Sequence, residues 1–174
     1  QLAADGGAAM ALTVTHISAA TASLTWALWE KVKYGRASLV GLVTGTIAGL
    51  ASITPDSGSV GLVEALIILA VAGILCQEAV NFVRNIFSID YKLNVFAVHG
   101  VAGIFGTVMV ALFGQGSWTA QLGGLVIVRV FTLIVTFIMI KLVGMLFPLR
   151  VDAETESNGL DLSVHGERAY ELNS

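Results

Sequence analysis

The chain has 174 residues, 56% of them hydrophobic and 12% charged, with a mean hydropathy of +0.84 and a formal net charge of −3. About a quarter of the residues of an ordinary soluble domain are charged, so this composition excludes one. The small net charge, set mainly by the acidic end of the chain, gives no electrostatic footprint for nucleic acid, and the single cysteine, Cys76, excludes an internal disulfide and a cysteine-rich metal site.

The apolar residues instead fall in blocks of membrane-spanning length, the pattern of an all-α integral membrane protein. No basic region followed by a short apolar run and a small-residue cleavage site opens the sequence, so no signal peptide is read there. The hydrophobic pattern starts almost at once, as expected of the downstream piece of something longer. Five segments reach or approach the roughly twenty residues that cross about 30 Å of hydrocarbon. They are 6–29, 38–53, 60–77, 94–113 and 121–147.

The first span carries His16 within THISAATASLTW, among small and hydroxylated residues that suit helix-helix hydrogen bonding. The connection after it is basic, with Lys31, Lys33 and Arg36. In the second span Gly41, Gly45 and Gly49 recur every fourth residue and so share one helical face, where a neighbouring backbone can approach closely. That span stops at Thr54-Pro55, because proline disfavours helical geometry in the residue before it and has no N–H to donate. The irregular backbone there either lines a cavity or forms an ordinary exit loop. Glu64 of the third span and Arg129 of the fifth each stand near a span end, where they reach the interface or pair with one another.

The fourth span opens with NVFAVHGVAGIFG, in which His99 is a titratable group roughly 7.5 Å into a segment of apolar and tiny residues. It is either a neutral histidine bonded to a neighbouring helix or a pore-lining, proton-handling group. Imidazole suits the second task because the neutral ring offers one donor and one acceptor nitrogen and titrates near neutrality. Gly100, Gly103 and Gly106 thin the helix beside it, leaving room for another helix or a narrow lumen.

Basic residues fix an orientation. Lys31, Lys33 and Arg36 lie in the first connection, Arg84 and Lys92 in the third, and Lys141 and Arg150 near the end, whereas ITPDSGSV and GQGSWTA have none. The positive-inside rule puts the first and third connections and the tail in the cytoplasm and the amino-terminal end outside. A membrane domain over 1–150 is followed by a cytoplasmic tail over 151–174, whose acidic run of Asp152, Glu154 and Glu156 suits a solvated end. There is no phosphate-binding glycine loop, nucleophile elbow or metal-binding triad, so the residues point to no enzyme and no cofactor.

Four blocks carry a family resemblance: GLVTGTIAGLASITPDSG (41–58), NVFAVHGVAGIFGT (94–107), the long last span from QLGG (121–124), and the tail GLDLSVHGERAY (159–170). In these, and in their order, the chain resembles the carboxy-terminal half of an ammonium transporter of the Amt/Mep/Rh superfamily, on the Amt side. The resemblance implies an eleven-helix fold of two inverted five-helix repeats and a closing helix, of which this chain supplies the last five. It also implies a plasma-membrane homotrimer in contact with lipid, with one ammonia-conducting pore per subunit. His99 takes the position of the second histidine of a pore-lining pair, and Val95, one turn toward the cytoplasm, that of a constriction. Thr54 takes a place beside the pore or at a helix end. Gly159, Asp161, His165, Gly166, Glu167 and Tyr170 match the tail motif, which implies docking of a trimeric PII-type signalling protein at the cytoplasmic face. The first histidine of the pair and the outer aromatic site match nothing in this sequence. Asn94 stands where the family usually has aspartate, removing a carboxylate while keeping a neutral N-cap acceptor. The same motifs would also serve an ammonium sensor that reports through the tail, or a membrane fragment that conducts nothing.

Overall fold

A computed structural model of the chain describes residues 3–87, 94–113 and 116–167, and all regular structure among them is helical. Helix α1 spans Gly6–Tyr34. Asp5 opens it by accepting the Ala8 N–H at 2.8 Å, and Gly35, in the left-handed region at φ 76°, closes it with a hydrogen bond to Lys31 O. Helix α2 spans Leu39–Ile53, with Ser38 as its cap. It ends where the Thr54-Pro55 step was expected to end it, by the second of the two effects of proline and not the first. Thr54 keeps helical angles (φ −51°, ψ −44°), its hydroxyl donating to Leu50 O at 2.7 Å. The missing N–H of Pro55, not an extended Thr54, breaks the ladder.

Helix α3 spans Leu62–Phe87 and so runs well beyond the expected end at residue 77, through Glu78, Asn81 and Arg84. Helix α4 spans Phe96–Leu112, its first turn a π-helical stretch, Phe96–Gly100, followed by regular α-helix over Val101–Leu112. Helix α5 spans Trp118–Leu146 and buries none of its residues. Helix α6, Ala153–Asn158, is a short exposed helix capped by Asp152. Among the described residues three helices are long and apolar enough to cross a membrane: α1, α3 over Leu62–Ile86, and α5. α2 and α4 are shorter apolar helices; the 15 residues of α2 reach roughly 22 Å.

The chain divides into two compact units, Gln1–Val126 and Ile127–Ser174. In the first, two clusters make the core. Val14, Ala22, Ile53, Val60, Ala65, Ile68 and Leu69 form one, with Phe105 and Met109 against it. Trp26, Ala48, Cys76, Val80, Ala97, Val98 and Ala102 form the other. Many of these residues are small, which fits helices held by close packing and interhelical hydrogen bonds where lipid supplies no hydrophobic drive. Ser23 Oγ of α1 donates to Leu42 O of α2 at 2.8 Å, and the Cys76 thiol of α3 reaches Val98 O at 4.0 Å. The second unit holds the remainder of α5, α6 and a π-helical turn at Asp161–His165.

Candidate functional site

The fourth span is set up by its first residue. Asn94 is the one described non-glycine residue with positive φ, at 48°. Its backbone thus lacks the extended form usual at an N-cap, and its carbonyl accepts the Val98 N–H at 2.8 Å. Asparagine tolerates this left-handed geometry better than most residues. Beyond it, Ala97, Val98 and Ala102 turn into the second core cluster, while Val95, Phe96 and His99 are exposed. Val95, 46% exposed, and His99, four residues on, thus share a face turned away from the chain's own core. Among the described residues the His99 imidazole has no hydrogen-bond partner. The π turn bearing it is closed by the Val101 N–H reaching Phe96 O, and such turns are rare and occur frequently at functional sites.

The three glycines that follow have separate surroundings. A methyl group at Gly100 would press on the Phe96 ring of its own turn, at 3.0 Å. At Gly103 it would meet nothing within 4 Å. At Gly106 it would run into the backbone carbonyl of Ser52, with Pro55 Cδ at 3.1 Å, so here alone of the three does α4 lie backbone to backbone on another described helix, α2.

On α2 the three glycines of the stripe have different neighbours. A Cβ at Gly45 would lie 2.7 Å from Trp26 Cβ and 3.0 Å from Ala22 O, and one at Gly49 2.6 Å from Ser18 O and 2.8 Å from Ala22 Cβ, so both let α1 come close. Gly41 makes room for a side chain instead, the Glu30 carboxylate. That carboxylate accepts from Ser38 N at 2.7 Å and from Trp26 Nε1 at 3.2 Å, tying the end of α1 to the start of α2. A polar cavity of about 390 Å³ opens beside it, lined by Trp26, Glu30, Gln77, Asn81, Arg84 and Asn94 among others. At Gly73 of α3, which the sequence pattern did not single out, a Cβ would lie 2.7 Å from the Ala22 carbonyl.

Three acids also escaped notice. Glu30 and Glu78 stand one residue beyond the expected spans 6–29 and 60–77. Glu78 lies within α3 and accepts from Trp29 Nε1 at 2.6 Å and from Lys33 Nζ at 2.7 Å; its place directly after an apolar block was the available signal. Asp56, in the turn after Pro55, is fully buried, and neither carboxylate oxygen has a hydrogen-bond partner among the described residues. Burial pushes its carboxyl up to about 6. Nothing in the sequence separates this aspartate from a solvated loop acid. Thr54 is exposed and bonded only within its own helix. His16 is exposed, and the expected helix-helix hydrogen bond is not made among the described residues. Glu64 is half-buried in the first turn of α3.

The tail is folded locally as far as residue 167. Arg150 forms a bidentate pair with Glu156 at 2.8 to 3.0 Å. Gly159 and Gly166 both take positive φ, 93° and 68°, and bracket the π turn containing Asp161 and His165. The turn is closed by Gly166 N donating to Leu162 O and Glu167 N to Asp161 O, at 3.2 and 3.0 Å. Tyr170, like Lys92, lies outside the described residues. No group of three His, Cys, Asp or Glu residues able to hold a metal occurs among the described residues.

The model of the Ammonium Transporter Family matches residues 1–170. Amt1 of Archaeoglobus fulgidus, named an ammonium transporter, is 38% identical over 97% of this chain. The ammonium transporter of Bacillus subtilis is 34% identical over 98% of it. The chain spans about half the length of these curated relatives, 46% of each. Among solved structures, the chain resembles a protein titled Sensor Amt Protein with a TM-score of 0.81 at 27% identity, over 92% of this chain and 42% of that one. It resembles Mep2 of Candida albicans with a TM-score of 0.74 at 30% identity, over 85% and 37%. With both the fold and nearly the full sequence matched, the chain belongs to the ammonium transporter family.

Proposed function

We propose that this chain is the second half of an ammonium transporter, and that α4 carries its share of the pore. The single observation carrying the reading is the exposed face of α4: an imidazole without a partner and a valine one turn away, set on a π turn and directed off the core. An intact ammonium ion is costly to take through hydrocarbon, whereas neutral ammonia that hydrogen-bonds to an imidazole is not. His99 accepts or donates a hydrogen bond to the passing molecule through whichever ring nitrogen is free, and with a second histidine it carries the proton that ammonium sheds. Val95 narrows the path below it.

In this reading α1 to α5 cross the membrane five times within an eleven-helix fold. The membrane domain covers 1–150, the amino-terminal end faces outward, and the tail over 151–174 is cytoplasmic. The complete protein is a homotrimer in the plasma membrane, and the turn from Gly159 to Gly166 is part of a surface read by a PII-type protein. Replacing His99 by alanine in the complete protein, reconstituted in vesicles, is expected to change both the rate of ammonium uptake and the discrimination against potassium. Unchanged rate and selectivity refute the assignment of His99.

A further inference from the structure

The least satisfied polar site in the first unit lies at the exit of α2. Three side-chain oxygens within five residues, Ser52 Oγ and both carboxylate oxygens of Asp56, are buried without a hydrogen-bond partner among the described residues. The turn itself is well formed. Asp56 N donates to Ile53 O at 2.9 Å, and Asp56 O accepts from Ser59 N and Val60 N at 2.8 and 3.1 Å, so the backbone is satisfied and only the side chain is left over. Such an acid must be neutralised, because leaving a carboxylate buried and unpaired costs several kcal/mol. A proton serves this poorly. Burial is the only cause acting on the carboxyl and brings it only to about 6, so near neutral pH it is mostly ionised.

A cation serves better. Thr54, Pro55, Gly58 and Ser59 are exposed on either side of the buried Asp56. Ser52 stands one helical turn earlier, its hydroxyl uncommitted, and the turn is pinned at Ser52 and Pro55 against Gly106 of α4. That helix carries His99 seven residues earlier.

We propose that Ser52 and Asp56 form a binding site for one small monovalent cation at the α2–α3 turn, the carboxylate supplying the charge and the hydroxyl a further oxygen. The site does not depend on the transport reading, since a resident sodium ion and a visiting ammonium ion make the same demand on these oxygens.

The test uses the complete protein purified in detergent at pH 8, with thermal unfolding followed in choline chloride, which is too bulky to enter, and then with sodium or ammonium chloride at constant ionic strength. The wild type is expected to show a saturable rise in Tm of about 2 °C at ten times the half-saturating concentration. A response to ammonium alone makes the site selective for that ion, and a response to both makes it a general monovalent site; each supports the proposal. Asp56→Asn, nearly the same in shape, is expected to abolish the response, and Ser52→Ala to weaken it severalfold. Equal Tm values in all three salts, or a response that survives in D56N, overturn the site. Loss of the cation response with ammonium uptake intact leaves the transporter assignment standing, so the two readings fail separately.

Discussion

Replacing Gly49 by alanine tests the packing of α2 on α1 directly. The added Cβ would stand 2.6 Å from Ser18 O and 2.8 Å from Ala22 Cβ, and neither is the end of a flexible side chain. Ordinary van der Waals contact begins at 3.4 Å, so the helices must part by 0.8 Å at this level (3.4 minus 2.6). They are held together one turn away at Gly45, where Trp26 Cβ leaves no slack, and by the Ser23–Leu42 hydrogen bond. Overpacking of this kind costs about 1–3 kcal/mol, while exchanging glycine for alanine within a helix returns about 0.5–1 kcal/mol. The net expectation is a loss of about 1–2 kcal/mol. Gly103→Ala supplies the control, because a Cβ there meets nothing within 4 Å and only the helix-propensity gain remains. Thermal unfolding of the two purified variants should therefore move Tm in opposite directions from the wild type. If G49A is as stable as the parent, or G103A falls as far as G49A, the inference that close backbone approach holds these helices is wrong.

Other expectations follow from backbone geometry and capping. At Asn94, with φ 48°, alanine should destabilise the start of α4 by about 1 kcal/mol while glycine is tolerated, as read by unfolding midpoints; equal losses for N94A and N94G would show that the side chain matters more than the backbone. The Asp152 carboxyl is held below its ordinary value by the Thr155 N–H and hydroxyl, at 2.8 and 2.9 Å. A depressed carboxyl lends its stability above the unfolded-state pKa and loses it as pH falls through the folded one. The Thr155 amide resonance should thus keep its capped position down through the usual carboxylate range and shift only below it. A midpoint at or above 3.8 would refute the cap, and D152A should remove the titration.

What the sequence makes legible is what a period or a local rule encodes. Apolar blocks give the helices, and the fourfold glycine spacing gives the α1–α2 contact at Gly45 and Gly49. The lone imidazole in NVFAVHG marks a helix face that carries a titratable group off the core. Tertiary burial is not encoded that way. α3 outruns its apolar block because Glu78 satisfies Trp29 and Lys33 of another helix, a partnership with no local signature. Asp56 looks like any turn acid until its neighbours close over it, and Gly41 looks like Gly45 until Glu30 is found in its place. Asn94 fits a helix start by residue type, but its positive φ has no local signature.

The π turn at Phe96–Gly100 has a mechanical consequence. A helix wound with one extra residue is out of phase with the same sequence wound regularly, by about 100° per residue. His99 sits inside that turn and Gly106 beyond it, so their relative azimuth is set by the widened winding and not by their spacing alone. Gly106 is fixed against the Ser52 carbonyl by backbone contact. Rewinding the turn would therefore leave the packed end of α4 in place and swing His99 and Val95 around the axis, which makes the direction of the imidazole a separately adjustable quantity in an otherwise locked helix.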